Sequence, residues 1–362
     1  MHYESLRSRE VLERFFLGFS GTALPEELAG MLSAGLAGVA IYGRNYEDPA
    51  GLEALTGSIR RAAGQPVLIG ADQEGGKRFA LKSPFTAWPS PAELGALGDV
   101  ALAEQLARAM AREMLAVGLN LDFAPMLDLA TNPESPVTSD RAFGADPEDV
   151  ARMGVAFLRG LAAEGILSCA KHFPGHGDTA VDPHFDLPSF DGTRERLAQR
   201  EMAPFAAAIE AGVPLVMTAH ILLPRVDADR PASISRSVLD GLLRQQLHFD
   251  GVILADDLGM GAIARRYGPG ESAVKTLEAG SDIAMLCHDS SVVPEATAAV
   301  ARSLAAGRFE PAQWSAGRAR IARLRRQIKT AQRPAPPLEV VGCAEHRAMA
   351  KEIRARLDHA PK

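Results

Sequence analysis

The chain has 362 residues, with 39 Lys+Arg against 45 Asp+Glu and a formal net charge of −6. Hydrophobic residues make up 47% and charged residues 23%, an ordinary globular composition that excludes disorder, collagen and coiled coil. The acidic balance offers none of the basic excess of a nucleic-acid binder. Three dispersed cysteines (Cys169, Cys287 and Cys343) without a CxxC pair make neither a disulfide framework nor a zinc site and fit a reducing compartment. The first apolar patch, Phe15–Phe19, is too short for a secretory h-region. The longest stretch free of Asp, Glu, Lys and Arg, Leu28–Gly43, spans 16 residues, short of a membrane span. A cytoplasmic protein without membrane or nucleic-acid partners is expected.

Eight short apolar runs punctuate the chain: Phe15–Phe19, Gly38–Tyr42, Val67–Asp72, Leu119–Ala124, Leu167–Lys171, Pro214–Thr218, Val252–Asp256 and Asp282–Cys287. Most are continuously apolar rather than alternating, as strands buried on both faces must be. Between them lie helical stretches, among them Ala101–Val117, Pro147–Glu164, Thr193–Ala211 and Ser237–Leu247. Eight β-then-α units predict a (β/α)₈ TIM barrel. The alternative, a doubly wound open sheet, usually shows fewer strands and a phosphate loop, and neither a Walker motif nor GxGxxG is present. After a last barrel helix near Pro311–Thr330 comes Pro334-Ala335-Pro336-Pro337, an extended linker. The expected division is a single catalytic domain over 1–331 and a short helical tail over 332–362, whose helix (Cys343–Leu357) either packs on the barrel or mediates association.

Four runs end in polar clusters. Val67–Asp72 leads into Asp72-Gln73-Glu74-Gly75-Gly76, and Leu167–Lys171 into Lys171-His172-Phe173-Pro174-Gly175-His176-Gly177-Asp178. Pro214–Thr218 leads into Ala219-His220, and Val252–Asp256 ends in Asp256-Asp257. In a barrel all C-terminal strand ends face one way, so these scattered groups converge on one site. Asp182-Pro183-His184 stands in a loop too rich in Pro and Gly to form regular structure. There His184 can serve as general acid/base, with Asp182 orienting it; the plainer reading is a solvated loop. A metal reading also stands, since His172, His176, Asp178, Asp182 and His184 could wrap an ion from a loop. Pro174-Gly175 excludes a helical HExxH face. Asp256 is placed as a nucleophile, although both aspartates could instead cap a helix around Gly259–Arg265. Adjacent strand residues point to opposite sides, so one of the two faces the site. Asp72 and its neighbours offer oxygens that suit sugar hydroxyls. Lys171 at a buried strand end is not there for packing, whereas Arg141 taken singly reads as a surface salt bridge.

Taken together these segments resemble glycoside hydrolase family 3, in particular the NagZ-type β-N-acetylglucosaminidases. The resemblance also rests on Leu121-Asp122-Phe123-Ala124-Pro125 with Leu127-Asp128, on Leu187-Pro188, on Met217-Thr218-Ala219-His220 and on Gly251–Leu258. Order and spacing match from about residue 15 to 325. The resemblance implies the barrel fold and retaining removal of terminal non-reducing β-GlcNAc, in this family usually from 1,6-anhydromuramyl peptidoglycan fragments during cytoplasmic wall recycling. It implies Asp256 as the nucleophile of a covalent glycosyl-enzyme, His184 as acid/base with Asp182 assisting, and Asp72, Arg141, Lys171 and His172 as sugar contacts, with no metal and no cofactor. The partner is a carbohydrate substrate; oligomeric state is left open.

The chain departs from the family pattern at three positions. Pro183 replaces the usual serine between Asp182 and His184, Lys77 replaces an arginine, and Ala80 stands where a second arginine is usual, with Arg78 close but out of register. The alternatives are a GlcNAc phosphorylase or β-glucosidase on the same barrel, and a non-catalytic muropeptide-binding relative. A family glucosidase usually draws its acid carboxyl from a second domain, for which 362 residues leave no room.

Overall fold

A computed structural model describes residues 6–331 and 334–359. All eight apolar runs form strands of one parallel sheet: β1 (Phe15–Leu17), β2 (Gly38–Ala40), β3 (Leu68–Ala71), β4 (Leu121–Asp122), β5 (Leu167–Phe173), β6 (Leu215–Thr218), β7 (Val252–Ala255) and β8 (Ala284–Leu286). Each of β1 to β6 pairs with the next strand in sequence, and β1 also pairs with β8. The Ala255 N–H donates to the Ile283 carbonyl at 2.9 Å, which joins β7 to the entry of β8 and closes the barrel. Asp282 fastens this seam by accepting the Ile253 N–H at 2.9 Å and pairing with Arg244 and Arg320.

The continuous apolarity of the runs follows from this closure. Phe16, Leu68, Leu215, Met217, Val252 and Leu254 pack inside the barrel, whereas Phe15, Leu17, Ile69, Val216 and Ile253 pack outward against the helices. Both faces are therefore dry. A Cβ on Gly38 would lie 2.4 Å from the Phe16 ring, and one on Gly70 would lie 2.9 Å from the Phe123 ring. The two glycines thus make room for the edge-to-face Phe16–Phe123 pair at 5.5 Å.

The helix expected over Thr193–Ala211 is instead two, Arg194–Gln199 and Ala203–Glu210. Pro204 cannot donate to the Arg200 carbonyl and its ring would clash there, so the chain restarts with proline in the first turn. The stretch Ser237–Gln246 is helical with wider i→i+5 bonding. Two short hairpins decorate the C-terminal rim: Gln73–Gly75 with Arg78–Phe79 after β3, and Leu222–Leu223 with Asp227–Pro231 after β6. Beyond helix Pro311–Ala331, the tail helix runs Ala344–Asp358 and packs against helix Pro91–Leu97. Of the expected linker, Gln332 and Arg333 lie outside the described residues. Among the described residues no helix is long and apolar enough to cross a membrane.

Candidate active site

A cavity of about 440 Å³ opens at the C-terminal ends of the strands, within the size range of small-ligand pockets. Asp72, Arg141, Lys171, His172, Asp182, His184 and Asp256 all line it.

Its β3–β5 wall is a chain of alternating charges. Arg141 grips Glu74 with two hydrogen bonds, Nε–Oε2 at 2.8 Å and Nη2–Oε1 at 2.7 Å. Lys171 Nζ lies 2.5 Å from Glu74 Oε1 and 2.5 Å from Asp72 Oδ1. Burial alone would push Glu74 up, but Arg141 and Lys171 outweigh it and hold the carboxyl well below the usual range. Burial would likewise lower Lys171 and Arg141, and their carboxylate partners raise both above ordinary values. These charges are fixed across any working pH. Arg141 is therefore a nearly buried, bidentate cation rather than the surface salt bridge that its sequence position alone suggested. Asp72, with 37% of its side chain exposed, keeps oxygen surface for a ligand.

The His172 ring and the His176 main chain meet at one carboxylate. His172 Nδ1 donates to Asp128 Oδ2 at 2.7 Å, and the His176 N–H donates to Asp128 Oδ1 at 2.6 Å. Asp128 is pushed up by burial, but His172 and His176 bring it below its ordinary value. This bond fixes the His172 tautomer and leaves Nε2 as its open nitrogen. His176 is fully buried, which lowers its pKa to about 4, so the ring is neutral.

At the end of β7 the two aspartates diverge. Asp257 is buried and structural: Oδ1 accepts Gly259 N–H at 3.0 Å and Cys287 N–H at 3.1 Å, and Oδ2 pairs with His288. Asp256 lines the cavity and accepts Asp257 N–H at 2.7 Å. Burial raises its carboxyl, but His220, His172, this N–H and Lys171 together bring it below its usual value. His220 is buried, which lowers its pKa, and its Nε2–H donates to the Asp257 carbonyl at 3.0 Å. The helix expected to be capped here is Gly261–Ala264, whose N-cap is Met260.

Facing Asp256 across the mouth is the loop after β5. His184 Nδ1 donates to Asp182 Oδ1 at 2.7 Å, and the His184 N–H reaches the same oxygen at 2.9 Å. The proton on Nδ1 leaves Nε2 for a substrate. The loop is docked on the segment that carries Asp256: Gly261 N–H donates to the His184 carbonyl at 3.1 Å and Ala262 N–H to the Pro183 carbonyl at 3.0 Å. Asp186–Arg266 and Asp178–Arg196 pairs hold its two flanks. The His184 and His288 rings meet edge to face at 6.4 Å.

The five residues of the metal reading do not converge. The His172 ring turns to Asp128, the His176 ring to Thr179, Asp178 to Arg196, and His184 to Asp182. Lys77, Ala80 and Lys82 line the cavity's β3 side; the Arg78 side chain lies outside the description. Sequence reasoning assigned no role to Asp128 or His288, and read Glu74 only as one of the oxygens beside Asp72 that suit sugar hydroxyls. Glu74 and Asp128 stood within quoted motifs, and His288 directly follows the eighth apolar run, the strand-end signal used for four other strands.

Residues 17–324 match the N-terminal domain of glycosyl hydrolase family 3. The chain belongs to that family. It is accordingly a glycoside hydrolase, and its barrel is the family's catalytic fold. A β-hexosaminidase of Thiobacillus denitrificans is 38% identical over 316 residues, covering 85% of each chain. A family 3 β-N-acetylglucosaminidase from Paenibacillus sp. superposes with a TM-score of 0.92 at 35% identity, covering 96% of this chain and 68% of its own. NagZ from Neisseria gonorrhoeae, solved with N-trifluoroacetyl-D-glucosamine, gives a TM-score of 0.77 at 28% identity, covering 94% of this chain and 97% of its own.

Proposed function

We propose that this chain is a retaining exo-β-N-acetylglucosaminidase, with Asp256 as nucleophile and His184, oriented by Asp182, as acid/base. The observation that carries the reading is the pairing of an ionised carboxylate at the tip of β7 with an imidazole on a loop docked to that same segment. The hexosaminidase relatives and the glucosamine-derived ligand of the Neisseria protein support the sugar.

In the first step an Asp256 oxygen attacks C1, the C1–O glycosidic bond breaks, and protonated His184 gives its Nε2 proton to the departing oxygen. In the second, neutral His184 takes a proton from water, the water oxygen attacks C1, and Asp256 leaves; two inversions give net retention. A histidine here replaces the second carboxyl that retaining enzymes usually carry. The Asp72–Lys171–Glu74–Arg141 array and His172 hold the sugar hydroxyls, so that C1 lies against Asp256. We take residues 1–331 as the catalytic domain, and a cytoplasmic muropeptide as the natural substrate.

The test is a hydrolysis panel of β-GlcNAc, β-GalNAc and β-Glc aryl glycosides. β-GlcNAc turnover with a β-configured first product is expected, and Asp256→Ala should lower it at least about 1000-fold, a loss of about 4 kcal/mol in transition-state stabilisation. Near-normal turnover by that variant would overturn the assignment. GlcNAc binding without turnover would identify a non-catalytic relative, and acceleration by inorganic phosphate a phosphorylase.

A further inference from the structure

The tail beyond the barrel reaches toward the sugar-facing wall through a buried carboxylate. Glu113, in the last turn of helix Val100–Ala116, is 1% exposed. Its Oε1 accepts His346 Nδ1 at 2.7 Å, Gly342 N–H at 3.1 Å and the Thr86 hydroxyl at 2.6 Å; its Oε2 accepts Thr86 N–H at 3.0 Å. Four donors satisfy a charge that burial would otherwise make costly. They join the tail, a barrel helix and the segment 84–90 at one point.

Three further tail contacts fall on the same segment. The His346 ring lies 5.4 Å from Trp88, Arg354 Nη2 donates to the Ala87 carbonyl at 2.8 Å, and Gly342 sits so close to the Pro84 carbonyl that a Cβ would come within 2.0 Å of its oxygen. On its far side the segment braces the hairpin that carries Glu74. The Trp88 carbonyl accepts Gly76 N–H at 3.1 Å. A Cβ on Gly75 would lie 2.3 Å from the Pro89 oxygen, and both glycines take positive φ (93° and 60°). Just beyond, Ala92 N–H donates to the Asp140 carbonyl at 3.2 Å, next to Arg141. Both partners of the Glu74–Arg141 pair therefore rest on a stretch that the tail clamps.

We infer that His346, with Glu113 and Gly342, is a positioning residue for sugar binding: the tail sets the 84–90 segment, and the segment sets Glu74 and Arg141. This rests on the sugar-binding reading above, and it assigns the tail a part in substrate affinity rather than in association.

The experiment compares full-length wild type with His346→Ala, His346→Gln and Arg354→Ala, well below their unfolding temperatures. Each is read by aryl β-GlcNAc kinetics and by GlcNAc titration calorimetry. For His346→Ala a roughly tenfold rise in both KM and GlcNAc Kd is expected, with kcat within about twofold; His346→Gln, which keeps a donor, should recover most of the affinity. Arg354→Ala, at an exposed side chain, keeps the test open should the His346 variants fail to fold, and should weaken GlcNAc two- to threefold. Arg356→Ala is the control, since it removes a tail contact with Asp99 remote from the segment, and should leave KM unchanged. A lowered Tm with unaltered KM and Kd in the His346 and Arg354 variants would overturn the inference and leave the tail a packing element. Calorimetry reads affinity without turnover, so a wild type that binds GlcNAc but does not hydrolyse would strike the proposed reaction alone.

Discussion

Glu74 lies between Arg141 and Lys171, and Glu74 and Lys171 each have 2% of the side chain exposed, so neither of these two has water to fall back on. Removing one partner of a buried, hydrogen-bonded ion set leaves the others desolvated and unpaired, at a cost of about 3–5 kcal/mol. Glu74→Gln should therefore lower the urea midpoint by an amount of that order and abolish GlcNAc binding, even though it only exchanges an oxygen for an amide. A variant of wild-type stability would show that Asp72 alone neutralises Lys171. At this scale the sequence was informative about which residues gather and less so about whom they face. The strand-end rule brought Asp72, Lys171, His172 and Asp256 to one cavity, because a barrel aligns all its C-terminal ends. It could not show that Glu74 turns inward between two cations, or that Asp128 takes the His172 ring and the His176 main chain. Side-chain direction in a loop depends on contacts far along the chain.

The same division holds for the elements. Eight dry runs became eight strands because a closed barrel with helices outside buries both faces of each. Of the stretches read as helices, Thr193–Ala211 is divided in two and contained its own breaker in Pro204. What no periodicity announced is the docking of the His184 loop on Gly261 and Ala262, since it joins main-chain groups some 80 residues apart. It depends on a missing side chain: a Cβ on Gly261 would lie 2.6 Å from the His184 carbonyl oxygen and 2.8 Å from that of Phe185. Gly261→Ala should push the loop away while leaving the barrel intact. A displacement near 1 Å in a reacting group costs up to about 100-fold in rate. The expected result is a 10- to 100-fold loss of kcat/KM for alkyl or sugar leaving groups, a much smaller loss for nitrophenyl ones, and an unchanged Tm. Equal loss for both classes would argue that the loop's contact with Gly261 does not serve proton transfer.

For the whole molecule, the convergence of buried histidines beneath the site ties stability to pH. His176 is held neutral by burial, with a pKa near 4 against about 6.5 when unfolded, and His220 is shifted the same way. As pH falls below 6.5 the unfolded chain takes up protons that the fold refuses, so stability is full above 6.5 and declines toward 4. His176 alone accounts for about 3 kcal/mol of that decline. The Glu74 and Asp128 carboxyls, both lowered in the fold, lose their contribution only below the unfolded carboxylate range, and so add to the fall at more acidic pH. Asp122 opposes them. Burial raises it well above its ordinary value, so the fold holds a proton that the unfolded chain has released, and lowering the pH favours the fold at this position. Urea unfolding at pH 7, 6 and 5 should therefore show a falling free energy. Asp122→Asn should steepen that fall by removing the opposing group, whereas His176→Asn should flatten it. A profile that stays level from pH 7 to 5 in the wild type and in both variants would mean that these buried groups exchange protons equally in the two states, contrary to their burial.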